Sequence, residues 1–552
     1  MKKALLIFIM LLALTKALSA QNQITEIEKL AVTAKIWGFL KYYHPEVAGG
    51  KYNWDEQLFK IMPNIKNSIS KEQLSQVFMS WINDLGEIKD CNKCSQKKET
   101  QIFNENFDLN WIENQNVFIP KLSDLLKTIE INRHQGEKHY VSSVLPSGKI
   151  EIKNELPYKN FDWKDENMRL LTLFRYWNII EYFFPYKYQT TLKWNEVLNQ
   201  MIPKFLNPKT EIDFHVAILE LLASIDDGHT FFGSNKIDSF FGIYWFPAKF
   251  KIVDNKVIIT GFYNDSIARL NDLKIGDVIT KLNNKEVKTI FKKKEKFIFG
   301  SNLSHKKSNA NSIFHGMSNS VKVELIRENK TLFRTVKRYL YKDFNYKFQF
   351  NKNKGKDIYK LLNDNIGYVN MGAIKIKDVA NAMKTLENTK AIIFDIRKYP
   401  NGTVYEIIKY ISSKEKLFYK NIIPDLNYPG KFIWKEGRKV GGNSELKYKG
   451  KVILLVNHST ISQSEFTTMC FQTGDNVITI GSQTAGTDGN VSRFLTVGGF
   501  PTQMSAIGIF YPNNKVTQRK GVKIDVIVQP TIKGIIEGRD EILEKAIEYA
   551  NN

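Results

Sequence analysis

The chain has 552 residues, which is long enough for about three or four domains that each bury a core of their own. Its 80 lysines and arginines outnumber its 57 aspartates and glutamates, giving a formal net charge of +23. The basic residues are spread along the whole sequence, without a basic helix or zinc-finger spacing, so the composition disfavours nucleic acid as a partner.

Residues 1–20 predict a secretory signal peptide. The segment begins with Lys2 and Lys3, continues as a short apolar run and ends with the small residues Ser19 and Ala20. A membrane anchor is disfavoured because Lys16 interrupts a run that is already too short to span a bilayer. We therefore expect an exported protein, periplasmic or extracellular, with no membrane span in the mature chain.

Two segments of the N-terminal part repeat each other. Residues 21–100 contain W-G-F-L-K-Y-Y-H-P followed by W-D-E-Q-L-F-K-I-M-P, and residues 165–235 contain W-N-I-I-E-Y-F-F-P followed by W-N-E-V-L-N-Q-M-I-P. The copies align without gaps, so that Trp37 and Trp54 match Trp177 and Trp194. Apolar residues at three- and four-residue spacing predict two helices in each copy, with the aromatic residues in the core.

Three cysteines are present. Cys91 and Cys94 form a C-x-x-C for which an exported context favours a local disulfide, with a redox centre or half of a metal site as the alternatives. Cys470 falls on the apolar side of a predicted helix, where a buried and inert thiol is expected. Residues 101–164 separate the two copies and are predicted to be an irregular connector, apart from a short helix around 122–129.

Residues 236–345 change to a strand pattern. The string A-R-L-N-D-L-K-I-G-D-V-I-T-K-L-N-N looks like the core of a PDZ domain, and V-K-V-E-L-I-R-E-N-K-T supplies a closing hairpin. A PDZ domain binds an extended C-terminal segment as an added strand. Recognition of a C-terminus and a purely scaffolding role remain open, and the lysine-rich piece 291–309 is interpreted as an insertion.

The last predicted domain, 346–552, contains a strand that leads into a serine at the start of a helix. Residues 452–456 are a continuous apolar run of the kind found in a buried strand, and Ser462 follows at the strand-to-helix turn. Such a turn exposes a hydroxyl and directs helix N-terminal amides at an oxyanion beside it. The alternative is a capping box, in which Ser462 caps the helix and Glu465 binds back to the serine amide.

The wider string favours the nucleophile. T-I-S-Q-S-E resembles the T-A-S-A-S-E motif of the C-terminal-processing, or tail-specific, serine peptidases, and the first serine of S-x-S-E corresponds to Ser462. G-S-Q-T-A-G-T and D-I-R-K-Y-P-N-G resemble two further motifs of that family. The resemblance implies an oxyanion hole formed by the amides of Gln463 and of Gly402 or Asn401.

The resemblance also implies a general base. D-D-G-H-T resembles the motif that carries the base histidine in the tricorn-core branch of the family, which assigns that role to His229. Two departures stand out: Thr487 aligns with the family's lysine base, and Gln518 aligns with the glutamate that supports the histidine. A Ser-Lys dyad is thereby excluded, and Asp226, Asp227 and Gln518 remain candidates for orienting the ring.

These features together predict a multidomain α+β protein with N-terminal helical repeats, a PDZ-like β domain and a C-terminal crotonase-like α/β spiral peptidase domain. The resemblance implies an exported serine endopeptidase or processing peptidase that acts on peptides or unfolded proteins without a cofactor or metal. Two other functions stay open: a non-catalytic binder of hydrophobic ligands, as in the similar repeats of interphotoreceptor retinoid-binding protein, and an envelope scaffold. The oligomeric state is not specified by these patterns.

Overall fold

The computed structural model describes residues 24–94, 101–344, 357–442 and 445–552. The predicted signal peptide, 1–20, lies outside the described residues. Within them, the helices are too short or too polar to cross a membrane.

The chain divides into two compact units. The first contains the residues up to Leu221 together with Ile423–Ile433 and Ser492–Thr502, and the second contains Leu222–Ile422, Trp434–Val491 and Gln503–Asn552. The second unit therefore includes both the PDZ-like segment and most of the predicted peptidase domain.

Helices dominate the first part of the chain. They span Glu26–Tyr43, Pro45–Ala48, Trp54–Asn67, Lys71–Asn83, Pro120–Ile131, Glu166–Phe183, Trp194–Leu206 and Glu211–Ala223.

Each of the two similar segments closes its helix pair with the same hydrogen bonds. Trp37 Nε1 donates to the Trp54 carbonyl at 3.1 Å, and Trp54 Nε1 donates to the Trp37 carbonyl at 2.9 Å. Trp177 and Trp194 exchange the corresponding pair, both at 3.0 Å. A buried indole N–H needs an acceptor, so these carbonyls allow the large rings to enter the core.

The segment between the two similar stretches is more regular than the sequence pattern predicts. Besides the helix Pro120–Ile131, it contains an antiparallel hairpin of Val141–Val144 and Lys149–Ile152. The hairpin strands are only four residues long, too short for a clear alternation of apolar and polar residues. The structure joins Cys91 to Cys94, as predicted, and buries Cys470.

The segment predicted to be PDZ-like forms one antiparallel sheet with three short helices. Its strand order is Lys330–Lys337, Ser320–Arg327, Val278–Leu282, Lys256–Phe262 and Ala248–Val253, with Lys285–Glu286 paired to Val278–Leu282. The helices are Asp265–Leu270, Val287–Lys294 and Leu303–Ser308.

The remainder of the second unit is built on a six-stranded sheet. Its strands, in order, are Tyr359–Leu362, Ile366–Asn370, Ala391–Asp395, Lys451–Val456, Val477–Gly481 and Val526–Ile527. All neighbouring pairs are parallel except the first. The amphipathic helix Glu541–Asn551 covers one face with Ile542, Ala546 and Ala550, which recur every four residues.

The other helices and short strands complete the chain. The helices are Asn235–Phe241, Val379–Thr385, Val404–Ile411, Gln463–Phe471 and Ile532–Ile536; the short strands are Ile102–Phe103, Tyr244–Trp245, Tyr339–Leu340, Lys416–Leu417, Lys420–Pro424, Phe432–Glu436, Lys439–Val440, Val491–Leu495, Pro501–Ser505 and Gly508–Phe510.

Three adjacent parallel strands place their following loops at one edge of this sheet. Ala391–Asp395 leads to the loop with Gly402, Lys451–Val456 leads to Ser462, and Val477–Gly481 leads to Thr487. Since the carboxyl ends of parallel strands share an edge, side chains that lie far apart in sequence meet there.

Candidate active site

Ser462 occupies a strained turn at the start of the helix Gln463–Phe471. Its backbone has φ 54° and ψ −119°, a conformation that non-glycine residues rarely adopt. The turn is held by a hydrogen bond from the Ser462 amide to the Thr487 carbonyl at 2.8 Å. Its side chain does not cap the helix, so the serine's part of the capping-box interpretation is wrong.

Glu465 stabilises the neighbouring loop. This fully buried carboxylate accepts hydrogen bonds from Thr484 Oγ1 at 2.5 Å and from the amides of Gly486 and Thr487, each at 2.8 Å. Burial raises the pKa of Glu465 to about 7, against the lowering effect of these donors. The geometry of the turn thus depends in part on contacts among residues 462–487.

The Ser462 hydroxyl does not cap its helix, and the hydrogen bond of the His229 ring goes to Ser505. Catalytic hydrogen bonds often tighten only when substrate is bound. The hydroxyl is therefore available to a reacting group at the start of a helix, where backbone amides point outward.

Asp227 and Ser505 hold His229. The His229 Nδ1 atom lies 2.9 Å from Ser505 Oγ, which in turn donates to Asp227 Oδ1 at 3.1 Å. The direct separation of His229 Nδ1 and Asp227 Oδ1 is 3.7 Å. Asp227 also accepts the amides of His229 at 3.1 Å and Ser505 at 2.6 Å, so it fixes both residues.

This relay determines which nitrogen of His229 carries the proton. A serine hydroxyl has one hydrogen, and that of Ser505 is donated to Asp227. Ser505 Oγ must then accept from His229 Nδ1–H, which leaves Nε2 unprotonated. Burial lowers the pKa of His229 and Asp227 opposes this effect, so the ring is neutral near pH 7 and Nε2 can accept a proton.

The other two candidates for orienting the ring have different contacts. Asp226 pairs with Lys306 at 2.8 Å and with Arg519 at 3.3 Å. Gln518 is buried and donates from Nε2 to Ser301 Oγ at 3.2 Å. Of the three, Asp227 contacts the His229 side chain.

A second histidine lies beside His229. His305 is buried, and a Cβ atom placed on Gly228 would lie 2.6 Å from both Cε1 and Nδ1 of its ring. Burial, aided by the neighbouring His229, lowers the pKa of His305 to about 4. A side chain at position 228 would therefore collide with the His305 ring, so this position favours glycine.

The predicted oxyanion donors follow neighbouring strands of the sheet. Gln463 is the first residue of its helix, where the amide has no intrahelical partner. Gly402 is exposed and adopts φ 75°. The side chain of the preceding Asn401 donates to the carbonyls of Gly372 and Ile374 and so holds this loop. In the described part of the chain, no cluster of three or more His, Cys, Asp and Glu residues is arranged to hold a metal ion.

Sequence reasoning missed Ser301, His305, Gln503 and Ser505. Gln503 Nε2 donates to the His229 carbonyl at 2.7 Å. Ser301 and His305 belong to the lysine-rich piece interpreted as an insertion, and Ser505 belongs to an unremarkable strand. No local motif marks these residues, because their roles depend on contacts with distant parts of the chain.

Comparison with known proteins identifies the sheet region. Residues 365–528 match Peptidase family S41. The chain contains a peptidase family S41 domain. The S41 domain includes Gly402, Ser462, Thr487 and Gln518, whereas His229 lies before it in the sequence.

The similarity to solved structures covers more of the chain than the S41 domain. Mature CPAF in complex with lactacystin superposes with a TM-score of 0.55 at 11% identity, covering 70% of this chain and 99% of that one. The photosystem II D1 C-terminal processing protease gives 0.38 at 15% identity, covering 68% and 98%, and the tricorn protease gives 0.32 at 14%, covering 70% and 37%. The CPAF match shows a shared fold. No curated protein matches the chain.

Proposed function

We propose that the protein is an exported serine endopeptidase in which Ser462 is the nucleophile and His229 is the general base. The observation that carries this proposal is the Ser462 turn. Its strained backbone holds, at a helix N-terminus, a hydroxyl that does not cap the helix. Backbone strain of this kind costs about 1–3 kcal/mol and is concentrated at functional sites. Its position within an S41 domain supports the same role.

In this mechanism, Ser462 Oγ attacks the carbonyl carbon of a peptide bond while its proton passes to His229 Nε2. The amides of Gln463 and Gly402 would stabilise the oxyanion. The imidazolium that forms is stabilised through Ser505 by the Asp227 carboxylate, since Nδ1–H points along that relay. His229 then protonates the leaving amine, and a water molecule hydrolyses the acyl-enzyme by the reverse sequence of proton transfers.

The Ser505–Asp227 relay also bears on the non-catalytic alternatives. The argument for those alternatives was that Gln518 stands at the position where the family resemblance implies a glutamate. Asp227 supplies a buried carboxylate to His229 by another route. The geometry therefore favours an enzyme over a binding protein or a scaffold.

We further propose that the PDZ-like segment selects substrates by a free C-terminus. A groove of about 570 Å³ lies beside the strand Ala248–Val253 and the helix Val287–Lys294, with apolar residues Ile252, Val257 and Phe291 in its lining. Ala248–Val253 ends the strand order of its sheet, where an extended peptide can add as a further strand. Lys288, Lys292, Lys293 and Lys307 also line the groove and would attract a carboxylate.

The main test is cleavage of a library of unstructured peptides by wild-type protein and by Ser462→Ala, read by mass spectrometry. The proposal predicts new peptide termini with the wild type that are absent with Ser462→Ala. Cleavage that survives this substitution, or no cleavage by a folded wild-type protein, would contradict it.

A cleaved peptide then tests the groove. Amidation of its C-terminus should lower kcat/KM by roughly tenfold, since the carboxylate contact is lost. Amidation of an internal glutamate side chain in the same peptide serves as the control. An unchanged kcat/KM for the C-terminal amide would favour the scaffold role.

A further inference from the structure

We propose that Ser301, Thr487 and Gln518 form a clasp that positions the His229 turn against the Ser462 turn. The inference rests on the proposed function, because it assigns these side chains a part in aligning the base with the nucleophile. All three are buried, with exposed fractions of 0%, 0% and 1%.

Ser301 Oγ is the centre of the clasp. It accepts a hydrogen bond from the Gly228 amide at 2.8 Å and another from Gln518 Nε2 at 3.2 Å. Its separation from Thr487 Oγ1 is 2.5 Å. Since both lone pairs of Ser301 are engaged by these donors, its single hydrogen is donated to Thr487.

Thr487 connects this centre to the nucleophile through three different atoms. Its side chain receives the bond from Ser301, its carbonyl accepts from the Ser462 amide, and its own amide donates to Glu465. The path from the residue before His229 to the backbone of Ser462 therefore contains two side chains, Ser301 and Thr487.

Gly228 packs closely against Thr487 of the clasp. A Cβ atom at this position would lie 2.3 Å from Thr487 Oγ1, a distance that real Cβ atoms essentially never show. The backbone of the His229 turn is thus packed closely against Thr487, and the Gly228 amide is tied to Ser301.

The segment that carries Ser301 is anchored on both sides of the site. Asn302 Nδ2 donates to the Thr484 carbonyl at 2.8 Å, and Lys306 pairs with Asp226 at 2.8 Å. The first contact joins the segment to the loop that follows Ser462, and the second joins it to the turn that carries His229. The presumed insertion thus contributes directly to the geometry of the site.

The clasp gives a role to both departures from the family pattern. A lysine at 487 or a glutamate at 518 would change the donors and acceptors available to Ser301. Thr487 and Gln518 instead satisfy one buried hydroxyl, so here they act as positioning residues that do not touch the reacting atoms.

The test compares Ser301→Ala and Thr487→Val with Thr487→Ser, which keeps the hydroxyl, and with the exposed control Ser308→Ala. We expect the first two to lower kcat by roughly tenfold with KM nearly unchanged, because a small misplacement of a catalytic group is costly. Thr487→Ser and Ser308→Ala should stay within about twofold of wild type. The acid limb of kcat/KM should move to higher pH in Ser301→Ala, since a loosened His229 is more hydrated.

A double-mutant cycle separates positioning from general destabilisation. Ser301→Ala combined with Thr487→Val should cost no more in kcat than either change alone, whereas independent effects would multiply to roughly a hundredfold. Wild-type kcat in both single variants, or multiplying effects, would overturn the clasp.

The two proposals can fail separately. A wild-type protein without Ser462-dependent cleavage overturns the proposed function alone. The double-mutant cycle of Ser301→Ala and Thr487→Val can also be measured on the urea midpoint of unfolding, which requires no activity. If the shifts of the two single variants simply add in the double variant, the clasp is overturned.

Discussion

The Ser462 turn and the His229 turn are held in place in different ways. The contacts nearest to the Ser462 turn come from residues 462–487, chiefly the Glu465 carboxylate and the Thr487 carbonyl. The His229 turn is fixed by residues that follow it by more than 70 positions, namely Ser301, Gln503 and Ser505. Ser462 is thus held mainly by residues close to it in sequence, whereas His229 is held by residues far from it.

The largest expected effect tests whether the His229 turn supplies the base at all. His229→Ala should lower kcat by at least about a hundredfold, the usual scale for loss of a general base. Thr487→Ala, at the position of the family's lysine, should cost far less. Full activity of His229→Ala beside an inactive Ser462→Ala would place the base elsewhere.

The pH profile sharpens the same point. Only the neutral ring can accept the Ser462 proton, so activity should fall as the pH drops and His229 becomes protonated. Since burial lowers the pKa of His229, the acid limb of kcat/KM should lie below 6.5. A limb well above that value would indicate another titrating group.

How far each turn could be predicted follows from this difference. The strand Lys451–Val456 and the helix after Ser462 were predictable, because their pattern lies within one continuous stretch. The role of Ser462 as the nucleophile stays a prediction. His229 was predicted through a motif resemblance. Its partner Ser505 was not, because a serine at the end of a strand has no distinguishing neighbours in sequence.

The same limit applies to the larger fold. The apolar strands and the tryptophan-bearing helices follow from periodicity, whereas the hairpin within 101–164 and the docking of Ser301 do not. These missed features depend on non-local contacts that no single window of sequence contains.

A smaller effect tests the relay that orients His229. Ser505→Ala and Asp227→Asn should each lower kcat by roughly tenfold or more, because the ring loses the acceptor that fixes its tautomer. Ser505→Thr keeps the hydroxyl and serves as the matched control. If kcat is unchanged in Ser505→Ala but falls in Asp227→Asn, the carboxylate acts on the ring without the bridging serine.

The smallest effect tests the strain in the Ser462 turn. Ser462→Gly should be more stable than Ser462→Ala by about 1 kcal/mol, since glycine adopts positive φ without a steric cost. Both variants lack the Ser462 hydroxyl, so the difference between their free energies of unfolding in urea reports mainly the backbone strain. Equal free energies of unfolding would mean that the turn relaxes and is not strained.

The central claim is that Ser462 is a nucleophile activated by His229, and covalent labelling tests it most directly. Wild type, Ser462→Ala and His229→Ala are treated with a fluorophosphonate and digested, and the adduct is located by mass spectrometry. The account predicts one major adduct on Ser462, absent from Ser462→Ala and formed much more slowly in His229→Ala. An adduct on another residue, or equal labelling rates in wild type and His229→Ala, would contradict it.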